Sequence, residues 1–172
     1  MAVRAYKSNL SIDEKVLMAV VRAAEMFKRA HSGVFRNYGL SFPQYNVLRV
    51  LEASFGGRNT ISEVGRIMLV PGANMTGIAK RLERDGFIAR KSNPADERVT
   101  ILEITPKGKK TLKQIEKEKD KWLDLLLKGL SGPEKREILG FLKRLIKNNV
   151  EVVEKGMLSG ILPKKKTYPV RP

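Results

Sequence analysis

The 172-residue sequence contains no cysteine and only one histidine, His31. The absence of cysteine excludes disulfide bonds, thiolate metal sites and thiol-based redox sensing. A single imidazole with no cysteine offers too few ligands for a zinc or haem site. We therefore expect no metal and no cofactor, and we expect His31 to be an ordinary surface or core side chain.

Long apolar runs are also missing. Residues 1–10 lack the uninterrupted apolar stretch of a secretory signal, and no later window reaches the length of a membrane-spanning helix. The lack of cysteine fits a reducing compartment. These absences lead us to expect a cytoplasmic protein with no membrane contact.

Acidic residues are few: 18 aspartates and glutamates stand against 34 lysines and arginines. They are dispersed among lysines, and no clustered carboxylates or nucleophile with a neighbouring base stand out, so we expect no enzymatic activity. The net charge of +16 favours a polyanionic partner such as nucleic acid. Because the excess is spread along the chain, charge alone does not locate a binding face.

Four serines or threonines precede a glutamate or glutamine by three residues at the start of an apolar-periodic run. This spacing is typical of a capping box, in which the hydroxyl and the longer side chain each bond a free amide at a helix start. The predicted helix starts are Ser11/Glu14, Ser41/Gln44, Thr60/Glu63 and Ser131/Glu134. They predict a long amphipathic helix over residues 12–34, a second helix from residue 41 and a short third helix near 61–68.

The segment Val70-Pro71-Gly72 interrupts the helical pattern. After it, apolar residues recur at helical spacing until Asp85-Gly86, and they are Met75, Ile78, Ala79 and Leu82. Two helices separated by a tight break predict a helix-turn-helix, in which the second helix reads DNA. The period then changes, and residues 87–91 and 99–104 predict two strands joined by a loop over 92–98, which would form a wing.

Thr105-Pro106 opens a further predicted helix that runs to Leu130, and a last helix follows Pro133. So many apolar positions on two long helices suggest a partner chain. We therefore predict a mainly α fold with a small β-hairpin wing, a winged helix-turn-helix with long flanking dimerisation helices. Its predicted parts are an N-terminal dimerisation helix (11–37), a DNA-binding domain (38–104), C-terminal dimerisation helices (105–155) and a basic tail (156–172).

Several motifs in this order resemble the MarR family, the multiple-antibiotic-resistance type of transcriptional regulator. The similar segments are residues 40–48, Ala73-Asn74-Met75-Thr76-Gly77, residues 81–87, Asp96-Glu97-Arg98 and residues 104–108. Asp-x-Arg in a wing, six residues ahead of a Thr-Pro-x-Gly helix start, is specific in this context. The resemblance implies a homodimer with interlocked terminal helices, a palindromic operator and small-molecule effectors such as phenolic anions.

The outward face of the predicted recognition helix supplies the candidate base-reading residues. They are Ala73, Asn74, Thr76, Gly77, Lys80, Arg81 and Arg84. Asn74 can bond an adenine bidentately, Lys80 or Arg81 can reach a guanine or a phosphate, and Gly77 permits close approach. Helix capping and solvent exposure are the alternative for Asn74 and Thr76, and surface ion pairs with Glu83 or Asp85 are the alternative for the two arginines.

In the wing, the planar guanidinium of Arg98 suits the narrow minor groove, and Asp96 can hold it extended toward DNA. The alternative is an ordinary salt bridge within the turn. Four further residues are candidates for phosphate contacts: Thr60, Ser62, Arg90 and Lys91. Thr60 is first of all a helix cap, and charged strand ends such as Arg90 and Lys91 also serve solubility.

We therefore expect a sequence-specific regulator, a repressor that a small molecule releases from DNA. Aromatic residues that could line an effector pocket, or simply pack in the core, are Phe35, Tyr38, Tyr45 and Trp122. An architectural protein with little sequence preference is the alternative, since the basic charge is evenly spread. The lysines of the tail, Lys164 to Lys166, either touch flanking DNA or are solvated.

Overall fold

The computed structural model describes residues 9–154, which form six α-helices and a three-stranded sheet. In chain order the elements are α1 (Ile12–Arg36), α2 (Phe42–Ala53), β1 (Arg58–Thr60), α3 (Ile61–Ile67), α4 (Gly72–Arg84), β2 (Ile88–Asn93), β3 (Asp96–Ile104), α5 (Pro106–Leu126) and α6 (Gly132–Glu154). The predicted fold class is confirmed. Across these residues, no helix combines the length and apolar character that a membrane span requires.

The predicted helix starts are confirmed, but one of the four capping boxes is only half formed. Ser11 and Ser41 each accept the amide of the third helical residue, and the glutamate or glutamine bonds back to the cap amide. The Thr60 hydroxyl accepts the Glu63 amide at 3.2 Å, yet the Glu63 carboxylate binds Arg66 instead. The Thr60 amide donates to Oδ1 of Asn59 at 2.8 Å, so it does not need a bond from the Glu63 carboxylate.

The core lies between α2, α3, α4, the sheet and the first half of α5. All four predicted inward residues of α4 are buried, and Leu48, Leu51 and Val64 from α2 and α3 are fully enclosed beside them. Phe35, at the end of α1, is also fully buried. The apolar row of α4 is thus held on three sides, which leaves its polar row outside.

The wing is longer than predicted, because the strands extend into the expected loop and leave only Pro94 and Ala95 as the turn. Asp96 and Arg98 therefore lie in β3 and not in a loop. The register slips here: Ser92 pairs with Thr100, whereas the next residue, Asn93, pairs with Asp96. Residues 97–99 of β3 therefore have no pairing partner on β2 and form a bulge. A bulge redirects the side chains of the strand that contains it.

Strand β1 was not predicted from the sequence. It is only three residues long and pairs antiparallel with β3, from Arg58 opposite Glu103 to Thr60 opposite Ile101. The order is β1-β3-β2. A polar three-residue segment after Gly56-Gly57 has no strand pattern of its own, and its pairing with β3 makes it a strand.

Helix α5 ends at Leu126, four residues before the predicted Leu130. Residues 127–129 form a turn, in which the Leu130 amide donates to the Leu127 carbonyl at 3.2 Å. Gly129 adopts a φ of +90° in this turn. Only glycine enters this region readily, which explains the break. Among the described residues, the chain divides into two compact units at this point, one that ends at Leu126 and one that begins at Leu127.

Both predicted dimerisation regions carry exposed apolar side chains. On α1, Ile12, Leu17 and Val21 are each more than half exposed. On α6, within the second unit, the large exposed apolar residues are Ile138, Leu139, Phe141, Leu142 and Ile146. The predicted basic tail, including Lys164 to Lys166, lies outside the described residues.

Gly108 allows α5 to begin in contact with the base of the wing. A Cβ atom at this position would lie 2.5 Å from the Phe87 carbonyl oxygen and 2.8 Å from a side-chain carbon of Ile104. The same carbonyl accepts the Thr105 amide at 3.1 Å and the Thr105 hydroxyl at 3.0 Å. Because these bonds fix the carbonyl, it cannot retreat from an added methyl group.

We expect Gly108→Ala to lower the free energy of unfolding by about 2 kcal/mol or more, as overpacking against a fixed neighbour does. Urea denaturation at constant protein concentration, followed by circular dichroism, measures this. Gly33→Ala on α1 is the matched control, because a Cβ there meets nothing within 4 Å. The control is expected to be neutral or more stable by up to about 1 kcal/mol. Equal stability of Gly108→Ala and the wild type would contradict the described packing.

Candidate nucleic-acid interface

The outer face of α4 is polar and accessible. Asn74, Lys80, Arg81 and Arg84 are exposed with Ala73, whereas Thr76 and Gly77 are half-buried. The N-cap of α4 is Pro71, whose side chain makes no capping bond. The first amides of α4 therefore have no side-chain cap, and they lie at the positive end of the helix dipole, which favours phosphate oxygens.

A groove of about 420 Å³ runs along the start of α4. It brings together four sequence-predicted residues with neighbours from α2 and the helix-turn-helix turn, and its lining is Pro43, Val70, Pro71, Ala73, Asn74, Gly77, Ile78 and Arg81. Pro43 is missed by the sequence prediction. The cap at Ser41 predicts that Pro43 lies in the first turn of α2. Proline has no side-chain donor or acceptor, so its residue type does not suggest a binding role.

The helix-turn-helix turn that leads into this groove is strained. Leu69 has φ +52°, the only non-glycine residue with positive φ among residues 9–154. The Val70 amide donates a hydrogen bond to the Gly65 carbonyl at 2.9 Å. A Cβ atom added at Gly65 would lie 3.3 Å from the Val70 carbonyl oxygen. The turn is thus held tightly against α3, which sets the angle at which α4 leaves it.

Cations on α4 differ in what they bind. Arg84 pairs with Asp85 at 2.8 Å, and this hydrogen bond lowers the pKa of the Asp85 carboxyl. Lys80 and Arg81 form no ion pair within the described part of the chain. The guanidinium of Arg81 points back toward Gly77. A Cβ atom added at Gly77 would lie 3.7 Å from the Nη1 atom of Arg81. Thr76 donates its hydroxyl to the Gly72 carbonyl at 3.0 Å.

Lys107 supports the far end of α4 and is also missed by the sequence prediction. Its Nζ donates to the Asp85 carbonyl at 2.6 Å and lies 4.6 Å from the centre of the Phe87 ring. A cation at the C-terminal end of a helix binds its last carbonyls favourably. Lys107 belongs to α5, 22 residues along the chain, so no local pattern revealed the contact.

Arg90 and Lys91 on β2 are both engaged. Arg90 forms one ion pair with Glu83 of α4 at 3.4 Å, and its Nε is buried with no hydrogen-bond partner in the described structure. Lys91 binds Glu103 on the neighbouring strand at 2.5 Å, and this bond lowers the pKa of Glu103. The wing and α4 are therefore connected through Arg90.

At the wing tip, the expected contact between the Asp96 and Arg98 side chains is not formed. The Asp96 carboxylate accepts the backbone amide of Arg98 at 3.0 Å instead. Asn93 makes a similar bond with the Ala95 amide at 3.1 Å. The exposed Arg98 guanidinium has no ion pair within residues 9–154. Two side-chain acceptors thus shape the backbone of the tip, and the arginine projects from its bulge.

Thr60 and Ser62 lie at the start of α3. The Thr60 hydroxyl is used as the cap of this helix, whereas Ser62 is exposed. Thr60 is the last residue of β1 and Ser62 follows two residues later, so both lie at the edge of the same reading head. Their proposed phosphate contacts depend on amides and a hydroxyl, not on charge.

An aromatic cluster lies where α1, α2 and α5 meet. Phe35 stacks on Tyr45 with ring centres 4.1 Å apart, and the His31 and Trp122 rings are 4.7 Å apart. The Nδ1 of His31 lies 2.5 Å from the Phe27 carbonyl oxygen, so it donates its proton there. The Nε1 of Trp122 is buried and has no partner in the described residues. The part of the chain that the structure describes contains no group of side chains that could hold a metal ion.

Comparison with known proteins gives a consistent result. A model of the MarR family matches residues 38–99. The chain is 33% identical over 99 residues to the HTH-type transcriptional regulator TtmR of Methylorubrum extorquens, which covers 58% of this chain and 50% of TtmR. It is 30% identical to the uncharacterised HTH-type regulator YfiV of Bacillus subtilis, covering 63% of this chain and 69% of YfiV. The match thus spans about half of the first relative and more than two thirds of the second.

Solved structures share the fold. Sco3205, a MarR family regulator from Streptomyces coelicolor solved in complex with DNA, superposes with a TM-score of 0.71 at 19% identity, covering 96% of this chain and 98% of that chain. The organohalide-sensing regulator RdhR in its 2,4-dichlorophenol-bound form superposes with a TM-score of 0.75 at 17% identity, covering 88% and 92%. The relatives and neighbours described here are all regulators of transcription and not enzymes.

The bond from the Arg98 amide to Asp96 leads to a prediction that separates two roles of this carboxylate. Asp96→Asn keeps the acceptor oxygen and removes a negative charge near phosphates, so its DNA affinity should stay within about twofold of the wild type or increase. Asp96→Ala loses the acceptor and should bind about 3–10-fold more weakly, the value of one hydrogen bond. Fluorescence anisotropy with a duplex selected by the wild-type protein measures both. An equal loss in the two variants would show that the charge of Asp96 acts on the Arg98 guanidinium.

Proposed function

Since the chain belongs to the MarR family of winged helix-turn-helix transcriptional regulators, we propose that it is a repressor that binds a palindromic operator as a homodimer. The observation that carries this proposal is the division of α4 into a buried apolar row and an exposed polar row. The exposed row ends at an uncapped helix N-terminus beside an open groove. A helix of this kind fits the major groove with its first residues on the base edges.

Each candidate residue has a role that suits its position. Asn74, exposed in the first turn, reads an adenine, and Ala73 and Gly77 allow close approach. Lys80 and Arg81, which have no ion pair within residues 9–154, bind a guanine or phosphates. Arg98 enters the minor groove from the wing. The solved DNA complex of Sco3205, which has the same fold, supports this arrangement.

The remaining cations are assigned to the DNA backbone. Arg84 and Lys91 must share their charge with Asp85 and Glu103, so we assign them to phosphates and not to bases. We assign Arg90 to phosphates as well, together with the uncharged side chains of Thr60 and Ser62. Their contacts would position the head without reading sequence.

Homodimerisation is proposed on the exposed apolar side chains of α1 and α6. A monomer in water would leave Ile12, Leu17 and Val21 of α1 more than half exposed. The large apolar residues of α6 would be 37–54% exposed. Burying such surface favours association by about 25 cal/mol per Å² of apolar area. Two heads related by a twofold axis would then read two half-sites on successive turns of the duplex.

Selection of bound fragments from a random-sequence DNA pool tests this function. We expect a palindrome with half-sites about 10 bp apart. On the selected duplex, Asn74→Ala and Arg98→Ala should each lower the affinity about 10-fold or more, the loss expected for a good base or groove contact. Arg136→Ala on α6 removes the same charge outside the reading head and should change affinity less than about twofold. The absence of an enriched motif would favour the architectural alternative. If a motif is enriched, unchanged binding of both head variants to the selected duplex would contradict the roles assigned to Asn74 and Arg98.

An effector that releases the repressor is proposed to bind at the aromatic cluster. The observation is the buried Trp122 Nε1 without a partner, since an unpaired buried donor is costly and a ligand oxygen would satisfy it. The surrounding rings of His31, Phe35 and Tyr45 suit a planar aromatic molecule such as a phenolic anion. The 2,4-dichlorophenol-bound form of RdhR supports this class of effector.

Trp122 is the only tryptophan, so its fluorescence reports on this site. We expect 2,4-dichlorophenol to quench it and to weaken binding to the selected duplex about fivefold or more, a typical coupling between two sites. Trp122→Phe keeps an aromatic ring without the donor, so it should bind DNA normally and need a higher ligand concentration for release. Unchanged DNA affinity at saturating 2,4-dichlorophenol, or an identical response from Trp122→Phe, would contradict the assignment.

A further inference from the structure

A very short segment, which we call the hinge, joins α4 to the wing: Asp85, Gly86 and Phe87. Helix α4 ends at Arg84 and β2 begins at Ile88, so these three residues are the whole connection. Rotation about their backbone bonds would change the direction in which the wing leaves α4. The conformation of the hinge therefore sets the angle between the two elements that are proposed to read DNA.

On the side of α4, the hinge is folded by its own amides. The Gly86 amide donates to the Glu83 carbonyl at 2.9 Å, and the Phe87 amide donates to the Leu82 carbonyl at 2.9 Å. Gly86 has a φ of +77°, which glycine adopts readily. Together these features form a Schellman motif, which ends a helix without help from other parts of the chain. The motif uses carbonyls of α4 and not those of the hinge.

All three carbonyls of the hinge are bound instead by residues at the start of α5. The Nζ of Lys107 donates to the Asp85 carbonyl at 2.6 Å. The Thr105 hydroxyl lies 2.8 Å from the Gly86 carbonyl oxygen and 3.0 Å from that of Phe87, so its proton is shared between them. The Thr105 amide also donates to the Phe87 carbonyl at 3.1 Å. Two residues from a distant part of the sequence thus hold every carbonyl of the hinge.

The same two side chains fix the hinge to α5 as well as to α4. The ammonium of Lys107 lies 4.6 Å from the centre of the Phe87 ring, so one cation contacts two residues of the hinge. The Thr105 hydroxyl accepts the Gly108 amide at 3.2 Å, and it therefore also caps α5. Because α4 already has its own terminating motif, these contacts are not needed to end it. They restrict rotation of the hinge.

We propose that Thr105 and Lys107 are positioning residues, which hold the hinge in one conformation so that α4 and the wing contact the same duplex together. This inference rests on the proposed function and adds to it two residues that act through the hinge. When the hinge is fixed before binding, the second contact forms without a further loss of conformational entropy. With a free hinge, ordering of the wing would offset part of the free energy of the Arg98 contact.

Four variants test the proposal. The hinge variant, T105V/K107M, removes the hydroxyl and the ammonium and leaves side chains of similar size. T105S/K107R restores a hydroxyl and a cation, and it is the conservative rescue. Lys110→Met removes the same charge from an exposed lysine three residues further along α5, and it is the matched control. Lys107→Met alone keeps the cap of α5, so it takes the place of the hinge variant if that variant does not fold.

Hydrogen exchange of the free protein measures whether the hinge is released. In the hinge variant, we expect the amides of residues 86, 87 and 105 to exchange about 5-fold faster or more, the effect of one lost hydrogen bond. Any change in the amides of α2 should be smaller, which also shows that the variant folds. The rescue and the control should match the wild type. Unchanged exchange at the hinge would mean that Thr105 and Lys107 do not hold it, and the proposal would be wrong.

Fluorescence anisotropy with the selected duplex then measures the penalty of Arg98→Ala in each background. We expect a penalty of about 10-fold in the wild type, the rescue and the control. In the hinge variant it should fall to about threefold or less, because a wing that must first be ordered gains less from its contact. The penalty of Asn74→Ala should stay near its wild-type value of about 10-fold in every background, since the buried row still fixes α4.

The Arg98→Ala penalty separates positioning from a structural role. A merely structural role would lower stability and leave the penalty in the folded protein unchanged, so a penalty of about 10-fold in the hinge variant would overturn the proposal. An equal fall in both penalties would also overturn it, because the whole reading head would then be loosened. Failure of the proposed function is distinguishable, since Arg98→Ala and Asn74→Ala would then bind like the wild type before the hinge is altered.

Discussion

Burial of the apolar row of α4 is the constraint on which the reading head depends. Met75, Ala79 and Leu82 are almost completely enclosed by α2, α3 and the sheet, so α4 cannot rotate about its axis without exposing them. Burial of Met75 and of Leu82 contributes about 1.5–3 kcal/mol each. The exposed row from Asn74 to Arg81 therefore keeps a fixed direction, and a DNA contact costs little further ordering of the backbone.

A second group of contacts ties the wing and α5 to this framework. The Phe87 carbonyl accepts two bonds from Thr105, and Gly108 lets α5 approach it closely. Lys107 then reaches back to the last turn of α4. The wing, the recognition helix and α5 thus meet at one small junction. A movement of α5 would be transmitted to both reading elements, which is the coupling that the proposed effector site beside Trp122 would require.

The cations of the reading head fall into two groups that differ in their ion pairing. Arg84, Arg90 and Lys91 are paired with carboxylates of the head. The exposed pairs of Arg84 and Lys91 contribute little stability, whereas Arg90 is half-buried. Lys80, Arg81 and Arg98 have no such partner in the described residues. Their charge is uncompensated in the free protein, and a polyanion would compensate it. Within the head, ion pairing therefore distinguishes the cations whose charge is fully available to DNA from those that share it with a carboxylate, which the sum of +16 does not do.

Much of the fold was readable from the sequence because its signals are local. Capping residues such as Ser41, the period of α4 and the break at Pro71 depend on neighbours a few residues away, so they predicted the helix starts and the buried row correctly. The resemblance of residues 40–108 also pointed to the family. Strand β1, the contact of Lys107 with α4 and the bond of Asp96 to a backbone amide depend on residues brought together only by folding. Hydrogen bonds between distant segments have no period in the sequence, and for this reason the tertiary structure alone decided which cations are engaged and how the wing is shaped.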